Sequence, residues 1–152
     1  DAKKKLLEDK VFRGGRVVVW VRAPGIITNG RYDPAHVEAL SGIPAGVPEL
    51  TSKDMGDWIS VLSPRANLPA STLRTLAAGA GVHLYIDTEE PVFATANLLA
   101  VHTGTGGSRT VHLRRRCGRV TELFSGRVVA ETTTEFTDTL HTPDTVLYEL
   151  TP

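Results

Sequence analysis

The sequence predicts an α+β protein: a partial α/β region with parallel strands and helices, followed by a small antiparallel β-sandwich. Three observations predict it. Residues 1–81 alternate apolar strand-like runs with helix-like segments, the order that builds a parallel crossover unit. From Val82 onward, short β-like runs follow one another between turn signals, the pattern of an antiparallel sandwich or barrel. The change of texture falls at one place, which divides the chain into two expected domains, 1–81 and 82–152.

In the first domain, Lys3 to Lys10 reads as the end of a short helix with Leu6, Leu7 and Val11 as its apolar contacts, stopped by Gly14-Gly15. Val17-Val18-Val19-Trp20-Val21 is a continuous apolar run, expected of a strand covered on both faces. Ala23-Pro24-Gly25 ends it in a loop. Asp33 is placed to cap a helix whose first position is Pro34, with Val37 and Leu40 inward and a stop near Gly42. The Gly- and Pro-rich stretch from Pro44 to Gly56 reads as a loop. Trp58 to Leu62 reads as a second strand, and Pro69 opens a second helix with Leu73, Leu76 and Ala77 on one face, closed by Gly79 and Gly81.

In the second domain the expected strands are Val82 to Ile86, Pro91 to Ala94, Leu98 to His102, Thr110 to Leu113, Val120 to Phe124, Val128 to Glu131, Glu135 to Leu140 and Val146 to Leu150. Leu123 to Val128 reads as a hairpin with Gly126 at the turn. Thr105-Gly106-Gly107-Ser108 reads as another.

The 17 basic and 17 acidic residues cancel, so no global field favours nucleic acid or an anionic membrane. No apolar run approaches the roughly 20 residues that cross a bilayer. A single cysteine, Cys117, excludes an internal disulfide and a multi-cysteine zinc site. The cytoplasm is the expected compartment, with secretion left open because secreted bacterial proteins often lack cysteine. The start at Asp1, without methionine, is expected of a processed chain or of one excised from something longer.

Three stretches resemble the region that follows the catalytic barrel in bacterial family-42-type β-galactosidases. They are Gly15 to Ile26 (GRVVVWVRAPGI), Leu40 to Ile43 (LSGI) and Ala80 to Thr88 (AGVHLYIDT). Arg119 to Gly126 (RVTELFSG) resembles the small β-domain that closes such proteins. The resemblance implies a flavodoxin-like domain, related to glutamine amidotransferases and serving in trimer assembly, followed by a small antiparallel β-domain. The segment between Ile43 and Asp57 is short for a full doubly wound domain, so the expectation is a cut-down sheet that leaves an edge open. A non-catalytic accessory or assembly role in a carbohydrate-active protein follows. A homo-oligomer or a parent glycoside hydrolase chain is the expected partner, with carbohydrate as a further ligand. A stand-alone carbohydrate-binding β-module and a small enzyme of unknown chemistry are the alternatives.

The chemistry supports that order. A glycosidase barrel takes about 250 residues, more than the 152 present. Asp87, Glu89 and Glu90 follow a strand-like run; Asp87 and Glu89, with Trp58 as a stacking surface, are the candidate ligand contacts, although a solvated turn and a core tryptophan are the favoured readings. Cys117 lies in Arg115-Arg116-Cys117-Gly118-Arg119 with no helix after it, so no nucleophile elbow forms. His102 and His112 flank a hairpin-like segment, but no third metal ligand accompanies them. Thr103 to Ser108 lacks the Lys-Ser/Thr ending of a phosphate-cradling loop. Arg109, Arg114, Arg115, Arg116 and Arg119 form one basic cluster without interleaved aromatics, read as charge guarding a strand edge. No catalytic residue, metal or cofactor is assigned.

Overall fold

The computed structural model describes residues 2–152; Asp1 lies outside the described residues. The chain forms two compact units, Asp1–Val82 and His83–Pro152. No helix among the described residues is long and apolar enough to cross a membrane.

The first unit opens with helix α1 (Ala2–Lys10) and strand β1 (Arg16–Val21). A two-residue hairpin follows, β2 (Ile27–Thr28) and β3 (Arg31–Tyr32), turned through Asn29 and Gly30, both at positive φ. Asn-Gly is the pair that such a tight turn favours. Helix α2 (Pro34–Ser41) forms for local reasons. The Asp33 carboxylate accepts from the His36 N–H at 3.3 Å, Pro34 sits in the first turn, and Gly42 takes the left-handed conformation that ends the helix.

Strand β4 (Thr51–Asp54) lies in the stretch expected to be loop. It pairs antiparallel with β5 (Trp58–Ser63), which pairs parallel with β1. The sheet order is β1-β5-β4, so the sheet is mixed and short, with β1 at an edge. Burial follows that order. The central β5 buries Trp58, Ser60, Val61, Leu62 and Ser63, whereas the all-apolar interior of β1 is only half-buried. The strand expected to be covered on both faces is therefore β5 in place of β1. Helix α3 (Ala70–Gly79) has no buried residue, and Leu73 on its apolar stripe is 48% exposed.

The second unit contains β6 (Val92–Ala94), β7 (Leu98–Thr103), β8 (Gly107–Glu122), β9 (Val128–Leu140) and β10 (Asp144–Thr151). They form one antiparallel sheet in the order β6-β7-β10-β8-β9. Three expectations change. Residues 82–86 contribute an isolated bridge, Ile86 to Val111, in place of a strand. The pairs of short strands expected at 110–124 and at 128–140 fuse into the long β8 and β9. The sandwich expected from two sheets is replaced by one sheet that folds over on itself. Phe136 on β9 packs edge-on against Tyr148 on β10 at 4.9 Å, and both belong to one core with Leu99, Val111 and Val120. The long β8–β9 ribbon thus lies over the sheet from which it grows. Irregular pairing between His112 and Cys117 and between Val120 and Thr121 supplies the bend.

The segment 103–108 joins β7 to β8, but β10 lies between those strands, so it is a crossing turn and not the hairpin expected. The final strand completes the sheet from its middle. Of the arginine cluster, only Arg119 lies where β8 pairs with β10; Arg109, Arg114, Arg115 and Arg116 lie outside that four-residue pairing.

Candidate functional site

Functional side chains gather in the β unit, where strand alternation places acids beside the apolar core. On β9, Phe136, Asp138 and Leu140 share the inward face. A carboxylate there needs a full set of partners. The Arg127 Nη2 donates to Oδ1 at 3.0 Å and to Oδ2 at 2.7 Å; the Tyr148 hydroxyl donates to Oδ2 at 3.0 Å. The Thr139 N–H donates to Oδ1 at 2.9 Å. Burial, followed by the neighbouring Asp138 charge, pushes the Tyr148 phenol above its ordinary range.

The turn between β8 and β9 is organised by Glu122. Its carboxylate accepts the N–H groups of Phe124 and Ser125, each at 2.8 Å, and the Ser125 hydroxyl. The Ser125 hydroxyl, then the Phe124 N–H, hold Glu122 below the usual carboxylate range. Together with Arg127, Asp138, His141 and Asp144 these groups line a cleft of about 280 Å³, with Phe124 75% exposed at its side.

A second cluster centres on Glu90. The Arg109 Nε donates to Oε1 at 2.7 Å and Nη2 to the same oxygen; the Thr103 hydroxyl donates at 3.0 Å and Thr88 also donates. Bonding to Arg109 is the main reason that the Glu90 carboxyl is lowered to about 2. The glycine-bearing segment 103–108 turns inward on this cluster. The N–H groups of Thr105 and Gly106 point to the Thr103 hydroxyl at 3.2 and 3.0 Å, which is incompatible with cradling a phosphate in this conformation.

Of the residues singled out from sequence, Asp87 is exposed and its carboxylate lies 3.3 Å from His112 Nε2; Glu135 lies 3.3 Å from Nδ1 of the same ring. Glu89 is exposed. Trp58 belongs to the other unit, where it is buried and stacked on Phe12 at 4.3 Å and 11°. His102 bonds Thr145 at 2.8 Å, on a strand that β8 does not touch. It is therefore not paired with His112, and no group of three metal-ligating side chains occurs among the described residues. Cys117 is buried, with its thiol facing the Arg115 carbonyl at 3.8 Å.

Sequence reasoning missed the two arginine-held acids. For Asp138 a signal existed: an acid in the inward parity of Phe136 and Leu140. Glu90 stood beside the chosen Asp87 and Glu89, but its partner Arg109 is 19 residues away and nothing local joins them.

No family model and no curated protein matches the chain. Among solved structures, β-galactosidase from Bacillus circulans sp. alkalophilus is similar over 70% of this chain, with 19% identity and a TM-score of 0.44. This chain spans 16% of the length of that one.

Proposed function

We infer that this chain is a non-catalytic accessory and assembly region of a carbohydrate-active, glycoside hydrolase-like protein. The carrying observation is how the shielded acids are used. Glu90 is fastened by Arg109, Asp138 by Arg127 and Tyr148, and Glu122 by the turn that it closes. Glycoside hydrolysis uses two carboxylates facing one bond across about 5–10 Å, one as acid and one as base or nucleophile. Acids fastened in this way hold strands and turns together.

Assembly is supported by β1. An apolar strand at a sheet edge, half-buried and with no strand on its other side among the described residues, is a surface that association would cover. Size-exclusion chromatography with light scattering tests this: a dimer or trimer is expected, and a strict monomer at high concentration overturns it.

A second reading, a carbohydrate-binding β-module, is favoured by Phe124 beside the polar cleft. An exposed ring flanked by hydrogen-bonding side chains suits a sugar face. Calorimetric titration against galactan and xylan should give heat that Phe124→Ala removes; no heat with either sugar ends that reading.

A further inference from the structure

A different cleft, of about 520 Å³, is lined by Tyr85, Ala94, Thr95, Ala96, Arg114 and Arg115. Its cationic side comes from an irregularity in β8. Residues 113–116 lie between the paired His112 and Cys117, while on β9 only Thr134 lies between their partners Glu135 and Thr133. An extended strand sends alternate side chains to opposite faces. Here Leu113 and Cys117 point inward and Arg114, Arg115 and Arg116 are exposed in succession, which is how a bulge re-aims side chains.

These three arginines differ from the others of the unit. Arg109 is paired with Glu90, Arg119 with Glu131 and Arg127 with Asp138. Among the described residues, Arg114, Arg115 and Arg116 form no ion pair. Arg115 donates one N–H to the Ala96 carbonyl at 2.8 Å through Nη2, which holds its guanidinium against the opposite wall and leaves its other donors available. That wall is itself ordered: the Thr95 hydroxyl accepts the Leu98 N–H at 3.0 Å. Tyr85 packs against the core and edge-on to His83 at 4.6 Å, so the ring is held.

We propose that this cleft is an oxyanion site, binding a small ligand that carries a carboxylate or phosphate beside an apolar ring face. Guanidinium forks match planar or tetrahedral oxyanions in geometry and charge, and no acid lines the cleft to cancel them. The half-buried Tyr85 supplies the apolar surface and a phenolic donor. This inference goes beyond the accessory reading, and anion binding can be tested in a monomer.

The test is calorimetric titration of the full chain with trigalacturonate, inorganic pyrophosphate and a neutral galactotriose, at low and near-physiological salt. One of the two anions is expected to bind one-to-one and to weaken with salt; which one it is assigns the carboxylate or the phosphate source. Arg114→Ala should lower that affinity about tenfold, the loss of one charge-assisted contact. Arg114→Lys should recover part of it, and Arg119→Ala, at an arginine already paired, should leave it unchanged. Hydrogen exchange confirms that the variants stay folded. Binding of neither anion, equal binding of galactotriose, or indifference to Arg114→Ala overturns the proposal. Tighter binding of a single-stranded oligonucleotide than of either anion also overturns it, in favour of a general polyanion surface.

Discussion

The two units bury apolar residues in different ways. In the α/β unit the buried cluster is Val37, Ile43 and Leu62, and the most apolar stretch of the chain, Val17 to Val21, is left half-covered. In the β unit no run is as apolar, yet twelve residues from four strands and the bridging Ile86 form one buried cluster. A continuous apolar strand needs cover on both faces and both edges, and a three-stranded sheet with β1 at its edge supplies neither. An alternating strand needs one covered face, and a sheet that folds over covers it with its own residues. Apolar content therefore measures burial poorly here, and position in the strand order decides it.

The largest effect that would sharpen this contrast is at the centre of the β unit. Leu99→Ala opens space beside Val101 and Tyr148 where nothing is exposed, and should cost about 2–5 kcal/mol. Val18→Ala, on the half-buried edge strand, should cost about 1 kcal/mol or less in the monomer. Chemical denaturation followed by hydrogen exchange resolves the two units. Equal losses would remove the distinction between a closed core and an open one.

Acid separates the units next. Glu90 is lowered to about 2 chiefly by its bond to Arg109, so in the folded chain it holds its charge at pH values where the unfolded chain has taken up a proton. A depressed carboxyl stabilises the fold above the ordinary carboxylate range and loses that contribution as pH falls towards its folded value. The β unit should accordingly weaken between about pH 4.5 and 2, and Glu90→Gln should flatten that part of the profile while lowering stability at neutral pH. An unchanged slope in the variant would mean that the Arg109 pair does not couple to folding. Among the described residues the buried polar side chains of the α/β unit are the serines Ser41, Ser60 and Ser63, so that unit should respond less over that window.

Legibility in the sequence followed the distance between partners. Helix α2 was readable because Asp33, Pro34 and Gly42 specify it within a few residues. The hairpin at Asn29-Gly30 rests on an equally local signal, in a stretch for which no element was assigned. Strand β4 was not readable, because Thr51-Ser52-Lys53-Asp54 has no apolar alternation and becomes a strand only by pairing with β5. The β10 insertion between β7 and β8 joins residues about 45 positions apart, which no turn signal encodes. The Arg114 to Arg116 stretch looked like a break between strands because bulged residues lose the period of two. At the candidate sites, individual acids could be seen, whereas the choice among Asp87, Glu89 and Glu90 was made by an arginine far along the chain.

The smallest expected effect bears on the open unit. Helix α3 carries Leu73, Leu76 and Ala77 at spacing that ordinarily marks a buried stripe, yet none of its residues is buried and Leu73 is half-exposed. If that stripe faces water in the working protein, Leu73→Glu removes little apolar contact and should change stability by less than about 0.5 kcal/mol. The same substitution would cost far more if association covered the helix, because a carboxylate would then be buried without a partner. Thermal unfolding of both proteins over a wide concentration range tells these apart. A penalty that grows with concentration would extend the open surface from the β1 edge to α3, whereas a small and constant one leaves the edge strand as the place where this unit meets a partner.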